Sequence, residues 1–197
     1  MKGRTENRKA KAQEVEIKLA VTGASAARKR IRAARFKTAT PRVFEENIVL
    51  DTPDLALLKA GLLLRLRRAG KAVKCTFKGP QIAGRHKRRV EHEFRADDFD
   101  KALALFSGLG YSAVFRYEKY RTEFARAGEA GLVTLDETPI GVFIEIEGPA
   151  RWIDRAAKEL GYSRADYILA SYGRLYAEWR EAHASAPKDM VFRARTG

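Results

Sequence analysis

The side chains able to do chemistry in this chain stand two residues apart. Glu14, Glu16 and Lys18 alternate with Val15, Ile17 and Leu19, and Arg65 and Arg67 alternate with Leu64 and Leu66. Lys74, Thr76 and Lys78 alternate with Cys75 and Phe77, and Arg89, Glu91 and Glu93 follow the same rule around Val90. Lys119, Arg121 and Glu123, then Glu145 and Glu147 between Ile144 and Ile146, complete the set. Residues i, i+2 and i+4 share one face of a strand, so each charged group projects together. One such strand is ordinarily the solvated side of an antiparallel sheet. Six of them, with nearly every polar position fully charged, point to a face turned inward around water, where acids and bases pair and stay wet. Clustered carboxylates are the hard oxygen ligands that Mg²⁺ or Mn²⁺ prefers. Arg and Lys at fixed spacing suit phosphate oxygens, Arg through bidentate forks and Lys as a point charge. A cavity holding both fits a polyphosphate bridged by a divalent cation.

The elements that must position these residues follow from period and punctuation. Alternation predicts strands over 14–19, 45–51, 62–68, 72–78, 87–95, 115–125, 131–136 and 142–147, with a hairpin turn at Ala69-Gly70. Helices are expected over 24–37, about 54–59, 97–109 (capped by Asp97 or Asp98), 150–160 and 164–181. In the first helix Ala26, Ile31, Ala34 and Phe36 offer a thin apolar stripe. Eight strands with few helices suggest an α+β fold, an eight-stranded antiparallel β-barrel with helices packed outside. The expected organisation is a basic flexible tail over 1–12, a single domain over 13–181 and a C-terminal tail over 182–197.

Composition narrows the class. The 197 residues carry 45% hydrophobic side chains, enough for a core and too many for a disordered chain. One cysteine, Cys75, excludes a disulfide framework and points to a reducing, cytoplasmic setting. No apolar run is long enough to span a membrane, and the charged N-terminus lacks the apolar stretch of a secretory signal. The net charge of +14 invites a polyanion. That excess is not in the alternating set, where seven bases (Lys18, Arg65, Arg67, Lys78, Arg89, Lys119, Arg121) meet seven acids (Glu14, Glu16, Glu91, Glu93, Asp136, Glu145, Glu147). Residues 1–12 contribute +4 and residues 26–42 contribute +7. Function is therefore sought in the balanced charges.

The pattern resembles the CYTH domain, or triphosphate tunnel metalloenzyme, superfamily, which includes class IV adenylate cyclases, thiamine triphosphatases and inorganic triphosphatases. The resemblance rests on Glu14-Val15-Glu16-Ile17-Lys18 as the ExExK motif, Leu64-Arg65-Leu66-Arg67 and Lys78-Gly79-Pro80. It continues through Arg89-Val90-Glu91-His92-Glu93, Lys119-Tyr120-Arg121, Leu135-Asp136-Glu137 and the run 141–147. It covers residues 14 to about 176. It implies that Glu14, Glu16, Glu145 and Glu147 hold one or two divalent metals, Mg²⁺ or Mn²⁺, assisted by Asp136 and Glu93. Lys18, Arg65, Arg67, Lys78, Lys119 and Arg121 would bind the triphosphate, with Arg89 and Glu91 either joining them or pairing across the tunnel. Glu14, Glu16 and Lys18 would be catalytic. The segment Asn47–Asp54 followed by Gly61 is similar to the inorganic triphosphatase branch, departing from it at Val49 and Leu50 where an aromatic is common. Ser171-Tyr172 matches a frequent family pair, readable equally as helix packing or as a cap on the tunnel.

The resemblance implies a metal-dependent triphosphate hydrolase, with an adenylate cyclase on the same scaffold as the alternative. A non-catalytic module binding polyphosphate or RNA is the third reading, motivated by Arg28, Lys29, Arg30, Arg32, Arg35, Lys37 and Arg42. Nucleic acid is disfavoured, because aromatics are not interleaved there as a stacking platform would require. The expected partner is a triphosphate-containing small molecule, with no membrane, and the chain is expected as a monomer or homodimer. No P-loop motif is present. His92 and Cys75 fall on apolar faces and are expected to pack without chemistry, as are Trp152 and Trp179.

Overall fold

The alternating segments do form strands, and the helices cover the apolar side of most of them. The computed structural model describes residues 13–193, so the tail expected over 1–12 and the last four residues lie outside the described residues. In chain order the strands are β1 (Glu14–Val21), β2 (Lys37–Asp51), β3 (Leu63–Ala69), β4 (Ala72–Lys78), β5 (Lys87–Arg89), β6 (Glu91–Ala96), β7 (Ser112–Ala125), β8 (Leu132–Thr138) and β9 (Gly141–Glu147). The helices are α1 (Ala24–Ala33), α2 (Ala56–Lys59), α3 (Phe99–Gly108), α4 (Ala150–Glu159) and α5 (Tyr172–Glu181).

All neighbours in the sheet are antiparallel, in the order β5-β1-β9-β8-β7-β2-β3-β4-β6. The two ends of that order, β5 and β6, are separated in the chain by Val90 alone. What reads in the sequence as one strand over 87–95 is thus a bent strand whose halves serve opposite edges. Its first half pairs with β1 (Glu14 opposite Arg89, Glu16 opposite Lys87) and its second with β4 (Thr76 opposite Glu93, Lys78 opposite Glu91). Gly79 N–H donates to the Val90 carbonyl at 2.8 Å, and the Arg89 guanidinium donates to the carbonyls of Gly79 and Gly61. The expected eight strands are therefore nine, and the barrel is nearly closed by this continuous segment. Closure removes most of the open sheet edge.

Three apolar clusters lie against the wall. The largest joins Ile17, Leu19, Val133, Leu135, Ile144 and Ile146 of the strands to Ala27 and Ile31 of α1 and Trp152, Ile153, Ala156 and Ala157 of α4. Ile48, Leu50, Leu66, Val73 and Cys75 pack against Phe99 of α3. Cys75 is buried and burial pushes its thiol pKa up, in keeping with inert packing. Tyr172 and Tyr176 of α5 pack with Tyr117, Phe143 and Met190. Phe77, Val90 and Phe94 stay partly exposed, and His92, expected inside an apolar face, is exposed and stacks on Phe77.

Two helices and one strand differ in extent from expectation, each for a local reason. α1 stops at Ala33 because Arg35 turns into the left-handed region (φ 64), which inserts Phe36 against the edge of Trp152. Ala26 is exposed and Ala27 is the buried position. The stretch 164–181 is not one helix. A 3-10 turn at Arg164–Asp166 gives way to extended chain in which Ile168 exchanges two backbone hydrogen bonds with Lys18, and α5 starts only where the Ser171 hydroxyl caps it. β2 begins at Lys37, eight residues early; there it pairs only with β7, with register shifts that accommodate Pro41. The segment after α5 lies along β7, with Met190 wholly buried and bonded to Arg116 and Glu118 through the backbone.

Close packing at Gly131 gives a direct test of this arrangement. A Cβ there would stand 2.2 Å from the Trp152 ring. Gly131→Ala is expected to cost about 1–3 kcal/mol through overpacking, read as a lowered urea midpoint; an unchanged midpoint would show that Trp152 is not fixed as described.

Candidate active site: a tunnel of paired charges

The concave side of the barrel encloses a cavity of about 480 Å³, within the range of roughly 300–1,000 Å³ usual for ligand sites. Nine bases and seven acids line it, and among its described lining residues only Leu63 and Leu132 are aliphatic. The strand register explains the gathering. Glu16 stands opposite Glu147 and Lys18 opposite Glu145, so β1 and β9 bring the expected carboxylates to one patch of wall. Around the rest of the wall, β3, β4 and β7 supply Arg65, Arg67, Lys78, Lys119 and Arg121.

Each buried charge has a named counterpart. Lys18 Nζ lies 3.2 Å from Glu16 Oε1 and 3.1 Å from Glu145 Oε1, bridging the two strands. Lys87 Nζ reaches the same Glu16 oxygen at 2.7 Å. Lys78 Nζ donates to both oxygens of Glu14, at 2.7 and 2.5 Å, and approaches Glu91 at 3.4 Å. Asp136 is fully buried and accepts from Lys119 Nζ (2.7 Å), from Arg121 Nε and Nη2 (2.7 and 2.6 Å) and from the Tyr172 hydroxyl (2.7 Å). Arg121 also pairs with Glu145. Arg67 donates to Asn47 Oδ1 at 2.8 Å and Glu45 Oε1 at 3.3 Å, and Arg65 to the Tyr117 hydroxyl at 3.2 Å and Thr76 at 3.1 Å. Arg65 Nε is buried with no hydrogen-bond partner among the described residues, a donor that an entering oxyanion would satisfy.

These pairings set the protonation states. Burial alone would raise the carboxyl pKa of Glu16, but Lys18 and Lys87 hold it below the usual range. Burial likewise opposes Glu145, where Lys18, Arg121 and Lys119 prevail and keep it well below that range. Glu45 is brought down to about 2, with Lys119 and Arg67 overcoming burial. Glu91 moves up, through burial and the neighbouring Glu14, despite Lys78. Lys87 moves down, because burial and Lys18 outweigh Glu16. The Tyr172 hydroxyl is pushed well above its ordinary range by burial and by Asp136 and Glu145.

Tyr117 goes the other way. Burial would raise it, yet Arg65, Arg67 and Lys119 bring its pKa down to about 8. The folded state therefore releases this proton before the unfolded chain does, so stability from this group is absent below about pH 8. It grows between 8 and the ordinary value of 10 and is lost again as pH falls through 8. A tyrosinate absorbance step near pH 8 is expected and should vanish in Tyr117→Phe, together with the matching rise in urea midpoint; a step confined to pH 10 and above overturns the assignment.

The wall also answers whether a cation fits. No group of three or more potential ligands stands ready-made among the described residues, since the carboxylates point at ammonium groups instead. Yet the Lys18 ammonium already sits between Glu16 and Glu145, so a positive charge is accommodated by two hard oxygens from adjacent strands. Glu14, Glu16, Glu145 and Glu147 all line the cavity beside it. The donor set suits Mg²⁺ or Mn²⁺.

Residues 12–172 match the CYTH domain family. The chain belongs to that family. A Methanocaldococcus jannaschii protein, provisionally named an adenylate cyclase, is 27% identical over 134 residues, covering 68% of this chain and 75% of that protein. The solved structure of PH1819 from Pyrococcus horikoshii is 29% identical with a TM-score of 0.69, covering 85% of this chain and 99% of that one. A provisionally named adenylate cyclase from Vibrio parahaemolyticus shares the fold at a TM-score of 0.73 and 22% identity, covering 83% and 97%. A Hippeastrum protein, provisionally named an adenylyl cyclase and described as having a dominant triphosphatase activity, shares it at 0.62 and 17%, covering 84% and 96%. The CYTH tunnel is a triphosphate-binding metalloenzyme fold.

Within this CYTH tunnel the expected site residues are not all equivalent. Glu14, Glu16, Lys18, Arg65, Arg67, Lys78, Lys119, Arg121, Glu145 and Glu147 come together around the cavity. Arg89 lines it too, but its guanidinium is engaged by the Gly79 and Gly61 carbonyls at the barrel seam. Glu93 stands apart from the β1/β9 carboxylates, paired with Lys74 at 2.8 Å. Asp136 lies behind the lining as counter-ion to Lys119 and Arg121. Sequence reasoning does not single out Glu45, Asn47, Lys87 or Tyr117. Parity would have found Lys87, two before Arg89, and Glu45 and Asn47, two apart on β2. Tyr172 sits beneath the ammonium groups of Lys18 and Lys119, with its ring centre 5.2 and 5.0 Å away, which favours the tunnel reading of Ser171-Tyr172. The basic segment is partly absorbed into the fold: Arg28 and Arg42 pair with Glu137, and Arg30 lies over Tyr162. No helix among the described residues is long and apolar enough to cross a membrane.

Proposed function

We propose that this CYTH domain is a divalent-metal-dependent triphosphatase that holds inorganic tripolyphosphate, or the triphosphate of a nucleotide or thiamine, inside its barrel. One observation supports this reading most: the cavity wall is largely charged and, among the described residues, offers aliphatic surface only at Leu63 and Leu132, so recognition falls on the phosphate chain. Glu14, Glu16, Glu145 and Glu147 are the residues that would hold Mg²⁺ or Mn²⁺. When bound there, the ion supplies Lewis acidity toward phosphoryl oxygens. Arg65, Arg67 and Lys78 bind and align the phosphate chain. Lys119 and Arg121, locked by Asp136, face the cavity as a fixed cationic pair that stabilises charge developing on the departing phosphate. The partly enclosed wall strengthens each of these contacts and still leaves room for the water that hydrolysis consumes, which adds to the terminal phosphorus as the bridging oxygen departs with the rest of the chain.

The name of the Methanocaldococcus relative favours a second reading, in which ATP's own 3′-hydroxyl attacks the α-phosphorus and pyrophosphate leaves. Both chemistries use the same acids and bases, so product identity separates them. Tripolyphosphate, ATP, GTP and thiamine triphosphate are incubated with Mg²⁺ or Mn²⁺, and orthophosphate, pyrophosphate and cyclic AMP are measured. Orthophosphate without cyclic AMP is the expected result. Cyclic AMP in step with pyrophosphate overturns the hydrolase in favour of the cyclase, and no turnover of any substrate overturns both.

A further inference from the structure

One Glu16 oxygen carries two ammonium groups, and the two are not equally replaceable. Lys18, at 3.2 Å, has a second carboxylate in Glu145 and the Tyr172 ring beneath it. Lys87, at 2.7 Å, has Glu16 as its one ion-pair partner among the described residues. Its ammonium cannot readily leave the cavity. The side chain is 8% exposed, and the backbone is fixed on both sides: Arg89 is bonded to the Gly79 and Gly61 carbonyls, and His86 Nε2 to Asp154 Oδ1 at 2.8 Å. β5 itself is paired to β1, with Lys87 directly opposite Glu16.

A divalent cation on Glu16 takes the oxygen that Lys87 now holds and repels the ammonium that held it. Lys87 is then a desolvated, unpaired cation in a cavity whose other carboxylates already have partners, and a buried charge without a partner is costly. A phosphate oxygen in the same cavity is the anion that satisfies it. We propose that Lys87 is an exchangeable counter-ion: it neutralises Glu16 in the empty tunnel and passes to the triphosphate when a divalent cation takes Glu16. This rests on the proposed cation site at Glu16. Metal and substrate binding become cooperative, since the metal displaces the internal cation that the substrate then recruits.

Such a residue has effects of opposite sign on the two ligands, which neither a plain substrate-binding base nor a structural lysine would show. Mn²⁺ binding is measured without substrate, by the electron paramagnetic resonance signal of the free ion. Binding of imidotriphosphate, a tripolyphosphate analogue with nitrogen bridges, is measured by calorimetry with Mn²⁺ present. Lys87→Met is expected to bind Mn²⁺ about tenfold more tightly and imidotriphosphate about tenfold more weakly than the parent chain. Lys87→Arg keeps the competing charge and should show no tightening for Mn²⁺. Circular-dichroism melts check folding, and Lys87→Gln carries the same expectations should the methionine variant not fold. Unchanged or weakened Mn²⁺ binding in the neutral variants overturns the exchange, provided the parent chain binds Mn²⁺ and Glu16→Gln loses it. Mn²⁺ binding that survives Glu16→Gln, or is absent from the parent chain, overturns the cation site itself and the exchange with it.

Discussion

Glu16→Gln is expected to lower triphosphate turnover by about 10³-fold while the barrel stays folded. Glu16 is 7% exposed and faces Glu147 across the ladder, with Glu145 beside it. Glutamine keeps its volume and one oxygen but removes the charge that a hard divalent cation needs. Losing one preorganised electrostatic contact at a phosphoryl site costs roughly 10²–10³ in rate, and losing the cation costs more. Folding bears the cost of leaving Lys87 without its one ion-pair partner, but Lys18 retains Glu145 and both ammonium groups face a wet cavity rather than packed side chains. The kinetics are read with an Mg²⁺ titration alongside. Turnover within tenfold of the parent chain, at the same metal dependence, would remove Glu16 from the proposed centre.

Asp136→Asn should have the larger effect on stability. Asp136 is completely buried and is the shared counter-ion of Lys119 and Arg121, with Tyr172 donating to it as well. Removing one partner of a buried ion pair leaves uncompensated charge and costs about 3–5 kcal/mol. Here two cations lose their partner together, although Glu145 and Glu45 soften the loss for Arg121 and Lys119. Urea denaturation of the asparagine variant measures it. A loss under about 1 kcal/mol would mean that Asp136 is not the keystone of this network. Turnover should fall too, because Lys119 and Arg121 then lack the group that fixes their direction.

The site was legible in the sequence to the extent that it obeys period two. Glu14, Glu16 and Lys18 predict both their own strand and their shared face, and the register across β1 and β9 does the rest. Tertiary context decided what the pattern could not carry. The bend at Val90 is invisible in Arg-Val-Glu-His-Glu, because alternation continues through it; only closure requires one strand to serve two edges. The early part of β2 was missed because Thr38–Arg42 contains a proline and no alternation, features tolerated where the strand has β7 alone as neighbour. The exposed apolar face at Phe77 and Phe94 reads in the sequence as core, since alternation shows which residues share a side and not whether anything covers it. Asp136 was assigned by resemblance to metal binding, and its two cationic neighbours are visible only in the ladder between β7 and β8.

The bent strand at Val90 has a consequence for how the chain comes off the ribosome. β1 is made first, yet its two neighbours are β5 and β9, and Glu16 finds its register partners only at Lys87 and Glu147. Both flanks of β1 are open until β5 has emerged and one stays open until β9 follows, while its apolar side, Val15, Ile17 and Leu19, awaits α4. Pairings so distant in sequence make for slow folding and leave an adhesive edge available meanwhile. The charges that define the tunnel then act as protection during synthesis: Glu14, Glu16 and Lys18 on a nascent edge strand discourage it from joining another copy. Residues placed for phosphate in the finished barrel keep the unfinished one apart.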